Sequence, residues 1–423
     1  MASSSKTNRR FWLMMPRDQT DARRRARAEP RFHRTSLIAA RPDPVAGAAP
    51  MRTSWILPWV QANRMRGAVE RLLERCNVQI DGNRLCDIRV HNEGFYARLL
   101  ADGSLGLGES YMDGWWEAQD LEGLIYRLLE ARLDEQVRTW RDVVAFLTAK
   151  TSNPQRRARA FQVGERHYDL GNDLYECMLD RRMIYSCAYW EAADTLEEAQ
   201  RAKLKLVFDK LGLRAGSRVL DVGCGWGGAL HLAAQDYAVE GVGVTVSREQ
   251  ADYARSICAA LPVTIHLQDY RDIRGQFDSI YSIGMFEHVG PKNYRTYMDT
   301  LRRCLGRDGR FLLHTIGAHR PSRTNDPWME KYIFPNGKLP TREQINAALE
   351  GLFKVVNWQS IGTHYVRTLH EWRSNFETHW PRLKATRDER FYRMWQFYLS
   401  ASAASFRAGK NDVWQVLLEP VTH

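Results

Sequence analysis

The stretch Val219-Leu-Asp-Val-Gly-Cys-Gly-Trp-Gly-Gly228 is the part of the chain that decides its fold. Residues typical of a buried strand lead into the glycines Gly223, Gly225 and Gly227, and a helical pattern follows. Glycine at these positions permits a tight turn and lets the backbone approach a ligand closely. A strand, a glycine loop and a helix in this order predict a Rossmann-like α/β fold with a ligand at the loop.

The spacing of the loop bears on which ligand it binds. A dinucleotide-binding loop follows the pattern G-x-G-x-x-G, and an acid about 20 residues later binds the ribose. Here the spacing is G-x-G-x-G, and the second predicted strand ends at Val244-Thr245 without an acid. The loop, with Asp221 inside it, instead resembles motif I of Rossmann-like methyltransferases. Asp269 ends the third predicted strand, where such enzymes commonly contact adenine.

Strand and helix patterns alternate from residue 164 onward, which is typical of a doubly wound α/β domain. The predicted strands are 217–222, 240–246, 263–267, 277–283, 310–316, 353–361 and 413–418. A long helical region rich in tryptophan covers 370–407. These patterns predict a class I methyltransferase sheet within a catalytic domain at 164–423.

The residues before this domain predict a smaller N-terminal α/β domain at 51–148. Its patterns are a helix from 66 to 76, a strand at 87–91, a glycine-rich turn and packed helix within 103–117, and helical periodicity over 121–147. A polar, basic stretch with one proline at 149–163 is the predicted linker.

Composition limits the class of protein. The 423 residues are 44% hydrophobic, so a sizeable core is expected, and no apolar run has transmembrane length. The net charge is +11, of which residues 1–50 carry +7. The mildly basic remainder suits an anionic membrane surface, although charge alone also permits nucleic acid. Seven cysteines without a CxxC pair argue against a disulfide framework or structural zinc, and for a reducing compartment.

The sequence of residues 1–50 shows no sustained hydrophobic period, which predicts a disordered basic tail. Their arginines suggest an organelle transit peptide, but Asp18, Asp21 and Glu29 count against it. The favoured interpretation is a dispensable tail, or a true start at Met51 or Met65.

Five further segments are too particular for a generic methyltransferase. They are His167-Tyr-Asp-Leu-Gly-Asn-Asp173, Tyr185-Ser-Cys-Ala-Tyr-Trp190, Gly284-Met-Phe-Glu-His-Val-Gly-Pro-Lys-Asn-Tyr294, Leu313-His-Thr-Ile-Gly317 and Lys331-Tyr-Ile-Phe-Pro-Asn-Gly-Lys-Leu-Pro340. In this order they resemble the cyclopropane-fatty-acyl-phospholipid synthase family, whose relatives include the mycolic acid cyclopropane synthases. The resemblance runs from about residue 66 to about residue 417. Residues 103–117 resemble the N-terminal domain of the bacterial phospholipid enzymes, which favours that branch.

The resemblance implies an activity and its partners. The enzyme would transfer a methylene carbon from S-adenosylmethionine to the cis double bond of an unsaturated acyl chain in a membrane phospholipid. Bicarbonate would be bound as the base. The resemblance further implies a homodimer, no nucleic-acid partner, and a cytoplasmic protein associated peripherally with the inner membrane surface. It also implies that the small domain at 51–148 takes part in lipid docking and dimerisation.

The resemblance also implies the site residues. Those expected at the cofactor are Tyr185, Ser186, Asp221, Gly223, Cys224, Gly225, Trp226, Gly227, Thr245, Gln250, Asp269 and Tyr270. Those expected to hold bicarbonate are Cys187, Glu287, His314, Ile316 and Tyr365, with Ile316 contributing through its backbone. Glu287 and His314 also follow predicted strands at their carboxyl ends, where open α/β sheets bind ligands.

The chemistry requires an electrophilic methyl group, a wall for developing positive charge, and a base. Aromatic faces stabilise such charge without reacting, and the candidates are Tyr185, Tyr189, Trp190, Tyr332, Phe334 and Tyr365. A base must then remove a proton from the added methyl group. Bicarbonate and Glu287 are both candidates for it. No H-E-x-x-H or similar set occurs, so no metal is predicted.

Alternative functions remain open at this point. The same cofactor could methylate a lipid alkene without ring closure, or the chain could be a non-catalytic lipid- or cofactor-binding relative. Each site residue also has an ordinary structural interpretation, such as a core histidine for His314 or a helix cap for Glu287. Arginines and a lysine within 370–407 suggest a membrane-docking face, although charge runs on helices are more often simply solvated.

Overall fold

The segment preceding the catalytic part is mainly helical. Its elements are α1 (Ile56–Glu74), β1 (Arg89–Val90), α2 (Gly94–Asp102), α3 (Ser104–Met112), β2 (Trp116–Glu117) and α4 (Leu121–Glu130). The computed structural model describes residues 56–133, 170–321 and 325–421, with side chains from residue 63 onward. The predicted linker at 149–163 and the whole of the predicted tail at 1–50 lie outside these ranges.

The strand predicted at 87–91 is much shorter in the structure, where β1 and β2 form a two-residue antiparallel pair. The carboxylate of Asp87 accepts hydrogen bonds from the backbone N–H groups of Gln79 and Arg84, each at 2.9 Å. These bonds close a turn, Ile88 forms a single bridge with Ile80, and the regular strand is limited to Arg89 and Val90. Over its described residues, the N-terminal segment therefore combines four helices with a two-stranded sheet that is smaller than the predicted strand suggested.

A parallel sheet carries the glycine loop. Its strands are β3 (Arg218–Val222), β4 (Glu240–Thr245), β5 (Val263–Leu267), β6 (Phe277–Ile283), β7 (Leu305–Ala318), β8 (Phe353–Ser360) and β9 (Asn411–Pro420). Within the described residues they form one sheet in the order β5-β4-β3-β6-β7-β9-β8. Strands β3 to β7 pair in parallel, and β9 runs antiparallel to both neighbours. The predicted strands and the Rossmann-like fold class are confirmed.

Helices cover the sheet on both faces. They are α5 (Asn172–Met178), α6 (Leu196–Leu211), α7 (Gly228–Tyr237), α8 (Arg248–Ile257), α9 (Tyr294–Cys304), α10 (Pro327–Tyr332), α11 (Arg342–Leu349), α12 (Thr363–Leu383) and α13 (Glu389–Arg407). Local signals set several of their ends. A capping box of Thr195 and Glu198 begins α6, and Gly212 ends it in the left-handed conformation.

The helical N-terminal segment and the catalytic part share one hydrophobic core. Val69, Phe95 and Trp116 belong to the same buried cluster as Trp328 and Trp395. Residues 53–423 accordingly form one compact unit. Among the described residues, no helix combines the length and apolar character needed to cross a bilayer.

Candidate active site

The glycine loop lies where the order of the strands reverses. Strand β3 pairs with β4 on one side and with β6 on the other, so its carboxyl end opens at the switch point of the sheet. Gly223 has φ +88°, and a Cβ there would come within 2.7 Å of Met285. Glycine is therefore required for this close approach, as the sequence predicted.

A cavity beside this loop is lined by eleven of the twelve residues expected at the cofactor. The exception is Gly227, whose φ is +83° and whose Cβ position lies 2.8 Å from the Cβ of Ala254. Gly227 thus allows α7 to pack closely against α8, and Gly228 lines the cavity in its place. The role of Gly227 at the cofactor stays a prediction.

Two hydrogen-bonded pairs of polar side chains line this cavity. The hydroxyl of Thr245 donates to Oε1 of Gln250 at 2.9 Å, and both side chains are buried. The carboxylate of Asp269 accepts from the backbone N–H and the guanidinium of Arg271, both at 2.9 Å. Asp269 is therefore held in place by its own turn at the end of β5. Tyr270 follows it and stacks edge-on against Tyr297.

Lys203 lines this cavity but was not predicted as a site residue. It is fully buried, and its ammonium donates to the hydroxyl of Ser186 at 2.7 Å. Burial lowers the pKa of Lys203 to about 8 and raises the pKa of Asp221 to about 7. The signal in the sequence was a lysine within the apolar stripe of α6, alongside Ala199, Leu204 and Val207.

A second, larger cavity of about 1480 Å³ joins the first. Tyr185, Ser186, Gly284 and His288 line both cavities. All five residues expected to hold bicarbonate line the larger one: Cys187, Glu287, His314, Ile316 and Tyr365. The structure therefore places the predicted cofactor residues around the smaller cavity and the predicted bicarbonate residues in the wall of a larger cavity that shares lining residues with it.

Glu287 follows β6 in a single turn of 3₁₀ helix, where it is buried. Its Oε1 accepts the backbone N–H of Ile316 at 2.6 Å. Its Oε2 has no hydrogen-bond partner among the described residues. Burial raises the pKa of Glu287 to about 7. Glu287 is thus bonded to the backbone of Ile316 rather than acting as a helix cap, and the part of the Ile316 backbone in holding bicarbonate stays a prediction.

The other three residues are neutral groups. Burial shifts the pKa of His314 well below its ordinary value, so the imidazole carries no charge. Burial also raises the pKa of the Cys187 thiol, which lies 3.8 Å from the carbonyl oxygen of Ile361. Tyr365 packs edge-on against Trp372 with its ring buried. The site offers neutral donors around one carboxyl group.

The aromatic wall differs from the predicted one. Tyr185, Phe334 and Tyr365 line the larger cavity as expected. Tyr189, Trp190 and Tyr332 line neither cavity. Tyr189 packs on His364, Trp190 lies beneath Arg367, and Tyr332 donates to Glu109. Phe397, Tyr398 and Phe406 of α13 line the wall instead, and the Tyr398 hydroxyl lies 2.7 Å from that of Tyr185.

The N-terminal segment supplies much of the apolar lining of the larger cavity. The side chains come from α1, α2, α3 and α4 and include Leu72, Leu99, Leu107, Ile125 and Leu128. Ionic contacts hold this segment in place, because Glu109 of α3 accepts from Lys331 and from Tyr332 of α10. Sequence reasoning assigned this segment to lipid docking and missed its part in the cavity wall.

Most of the basic side chains in the helical region 370–407 lie close to acidic side chains of the same protein. Arg373 and Arg407 lie near Glu122, Arg387 pairs with Asp173, Arg390 with Asp113, and Arg393 with Glu117. Arg382 and Lys384 remain exposed.

In the residues that the structure describes, no group of three or more His, Cys, Asp or Glu side chains is arranged to hold a metal ion. The seven cysteines are free thiols.

A Rossmann-like sheet, a glycine loop at its switch point and a cavity at that loop define an S-adenosylmethionine-dependent methyltransferase of class I. Comparison with known families makes the assignment specific. Residues 155–416 match the family described as mycolic acid cyclopropane synthetase, and the chain belongs to this family. The predicted family and enzyme class are confirmed.

Three relatives show the range of the family. The cyclopropane-fatty-acyl-phospholipid synthase of Escherichia coli K12 is 50% identical over 347 residues, covering 82% of this chain and 91% of its own. The tuberculostearic acid methyltransferase UfaA1 of Mycobacterium tuberculosis is 35% identical over 351 residues, covering 77% of this chain and 81% of its own. The structure of mycolic acid cyclopropane synthase CmaA1, complexed with SAH and CTAB, has a TM-score of 0.58 and 34% identity over 61% of this chain and 97% of that one.

Proposed function

We propose that the enzyme adds a methylene carbon across the cis double bond of an unsaturated acyl chain in a phospholipid, forming a cyclopropane ring. The observation that carries the proposal is the unpartnered, buried Oε2 of Glu287 in the wall of the larger cavity, next in sequence to His288, which lines both cavities. A buried oxygen without a partner is costly, so this position calls for a hydrogen-bond donor from a bound species.

S-adenosylmethionine, when bound, supplies an electrophilic methyl group to a nucleophile as weak as an alkene. The residues of the smaller cavity are suited to holding it. Backbone approach at Gly223, the Thr245–Gln250 pair and the Asp269 turn surround a space at the carboxyl ends of β3, β4 and β5. A similar protein, the CmaA1 synthase, is known in complex with SAH.

The larger cavity supports the assignment of a long-chain lipid as substrate. Its volume, about 1480 Å³, exceeds the range of roughly 300–1,000 Å³ that is usual for small-molecule pockets. Leucines from the N-terminal helices give it an apolar wall that excludes water from an acyl chain. Tyr185, Tyr365 and Phe406 line this cavity, and their aromatic faces would stabilise positive charge on an acyl carbon bound against them.

Bicarbonate fits the ring-closing step. A proton must leave the added methyl group while a new carbon–carbon bond forms to the second alkene carbon. The hydroxyl of a bicarbonate ion would donate to Oε2 of Glu287, and its oxygens would accept from His314 and Tyr365. Held by these residues, bicarbonate would supply the base for the proton that leaves the methyl group. Because Glu287 already accepts the Ile316 N–H, its role in this arrangement is to orient the ion.

Phospholipid as substrate, membrane association and a homodimer are further parts of the proposal. The substrate's double bond lies deep in a leaflet, and exposed Arg382 and Lys384 would favour an anionic surface. Flotation with anionic and neutral vesicles tests the surface, and light scattering on the purified protein tests the dimer.

Fatty acid analysis tests the reaction itself. The gene is expressed in a bacterial host without cyclopropane lipids, and the methyl esters are analysed by gas chromatography and mass spectrometry. We expect products heavier by one methylene group that fragment as cyclopropanes.

Methylation without ring closure is the second candidate, favoured by the similarity to a methyltransferase named for tuberculostearic acid. It would give branched chains in the same analysis. Products of neither kind would favour a non-catalytic relative.

A further inference from the structure

Three amide and imidazole side chains form a ladder across neighbouring strands behind the proposed base site. His314 of β7 stands opposite Gln415 of β9, and Gln415 stands opposite Gln359 of β8. Lys210, in the last turn of α6, reaches this ladder. Its ammonium donates to Oε1 of Gln359 at 2.6 Å and to Oε1 of Gln415 at 2.7 Å.

The ammonium fixes which way the Gln415 amide points. Lysine offers only donors, so the oxygen of the amide must face Lys210. The amide NH₂ then faces His314, where Nε2 of Gln415 lies 3.3 Å from Nδ1 of the ring. Gln415 is completely buried, so no solvent competes for either end.

We propose that Lys210 and Gln415 are positioning residues that hold His314 as the tautomer protonated at Nε2, so that the ring presents an N–H donor to the larger cavity. The reasoning rests on proton counting. An Nδ1 that accepts a hydrogen bond carries no proton, and a neutral imidazole must then carry its single proton on Nε2.

This inference depends on the proposed function, in which the Nε2–H group of His314 donates a hydrogen bond to an oxygen of a bound oxyanion. His314 lines the cavity beside Glu287, whose Oε2 is an acceptor in its ionised form. A donor from His314 and an acceptor from Glu287 would orient bicarbonate in one direction. The opposite tautomer would turn an acceptor toward the ion and repel it.

Substitution of Gln415 by glutamate tests the assignment while keeping the size of the side chain. A carboxylate accepts from Lys210 and can also accept from His314, which forces a proton onto Nδ1. Gln359→Glu is the matched control, because it adds the same charge at a similar distance from Lys210 without facing His314. ¹⁵N-histidine spectra report the tautomer, and signals of His314 are assigned by comparison with a His314→Ala sample.

We expect wild type and Gln359→Glu to show His314 protonated at Nε2 alone. Gln415→Glu should show protonation at Nδ1 and lose ring formation by about 10²-fold, with binding of S-adenosylhomocysteine unchanged. If Gln415→Glu fails to fold, Lys210→Met is used, in which the amide can turn and both tautomers should appear.

A wild-type ring protonated at Nδ1, or a folded Gln415→Glu variant with unchanged spectrum and turnover, would overturn the assignment. Wild-type enzyme that binds S-adenosylhomocysteine but makes no cyclopropane would refute the proposed function instead, whatever the tautomer.

Discussion

The substitution Glu287→Gln changes the chemistry of the proposed base site while it keeps the hydrogen bond that positions this side chain. The amide oxygen can still accept the Ile316 N–H, which lies 2.6 Å from Oε1 in the wild type. The change places an NH₂ donor where Oε2 stands, facing the hydroxyl that we propose to bind there. We expect ring formation to fall by about 10²–10⁴-fold. Binding of S-adenosylhomocysteine, measured by calorimetry, should stay at the wild-type level.

The same substitution should stabilise the protein in alkaline solution. The pKa of Glu287 is about 7 in the folded protein against an ordinary value of 4.5, because of burial. The folded state therefore holds this proton more tightly than the unfolded chain does. The resulting stability is complete below pH 4.5 and is lost as the pH rises through 7. Glutamine does not ionise, so the variant escapes this loss, which amounts to about 3 kcal/mol at most.

Urea unfolding at pH 5 and pH 8 measures this effect. We expect the free energy of unfolding of the variant to gain on that of the wild type by about 2–3 kcal/mol between the two pH values. Glu350→Gln, at an exposed carboxylate, is the control and should show no such gain. A Glu287→Gln variant with wild-type turnover, or one whose stability follows the wild type at both pH values, would refute the reasoning.

Three other changes test separate parts of the account. Lys203→Met removes the 2.7 Å bond to Ser186 and should weaken binding of S-adenosylhomocysteine by about tenfold in calorimetry; unchanged affinity would remove Lys203 from the cofactor site. Glu109→Gln should lower the free energy of urea unfolding by about 1–3 kcal/mol, because it breaks charged contacts between α3 and α10. The pKa of Glu109 is lowered to about 2 by Lys331. The difference in unfolding free energy between wild type and variant should therefore shrink as the pH falls from 4.5 toward 2. Gly227→Ala, at φ +83° and against Ala254, should destabilise by about 1–3 kcal/mol, and an unchanged melting temperature would contradict its packing role.

Periodicity was sufficient to locate the centre of the sheet because β3, β4 and β6 are short and largely buried. The predicted strand 277–283 matches β6, and the glycine loop was placed correctly at the end of β3. The N-terminal strand was predicted too long. Alternation at 87–91 favoured a strand, but the turn built on Asp87 depends on backbone contacts with Gln79 that the pattern does not reveal.

The motifs indicated the residues that line the two cavities. They did not indicate the residues behind the site that form hydrogen bonds to the lining residues. Glu287 follows the end of β6, and His314 of β7 stands opposite Ile283, the last residue of β6, so the pairing of these two strands brings them together. Lys210 and Gln415 are separated by 205 positions in the chain, and only the register of β7 with β9 aligns Gln415 with His314. The cavity wall from α1 to α4 likewise depends on packing between distant segments, which composition cannot specify.

The most direct test of the central claim is the reaction of purified enzyme with S-adenosylmethionine and vesicles of a cis-unsaturated phospholipid. The account predicts that wild-type enzyme, in the presence of bicarbonate, yields cyclopropane acyl chains, and that Glu287→Gln binds the cofactor product without making them. Saturated branched or methylene-branched chains in place of rings, or rings formed equally well by the variant, would contradict it.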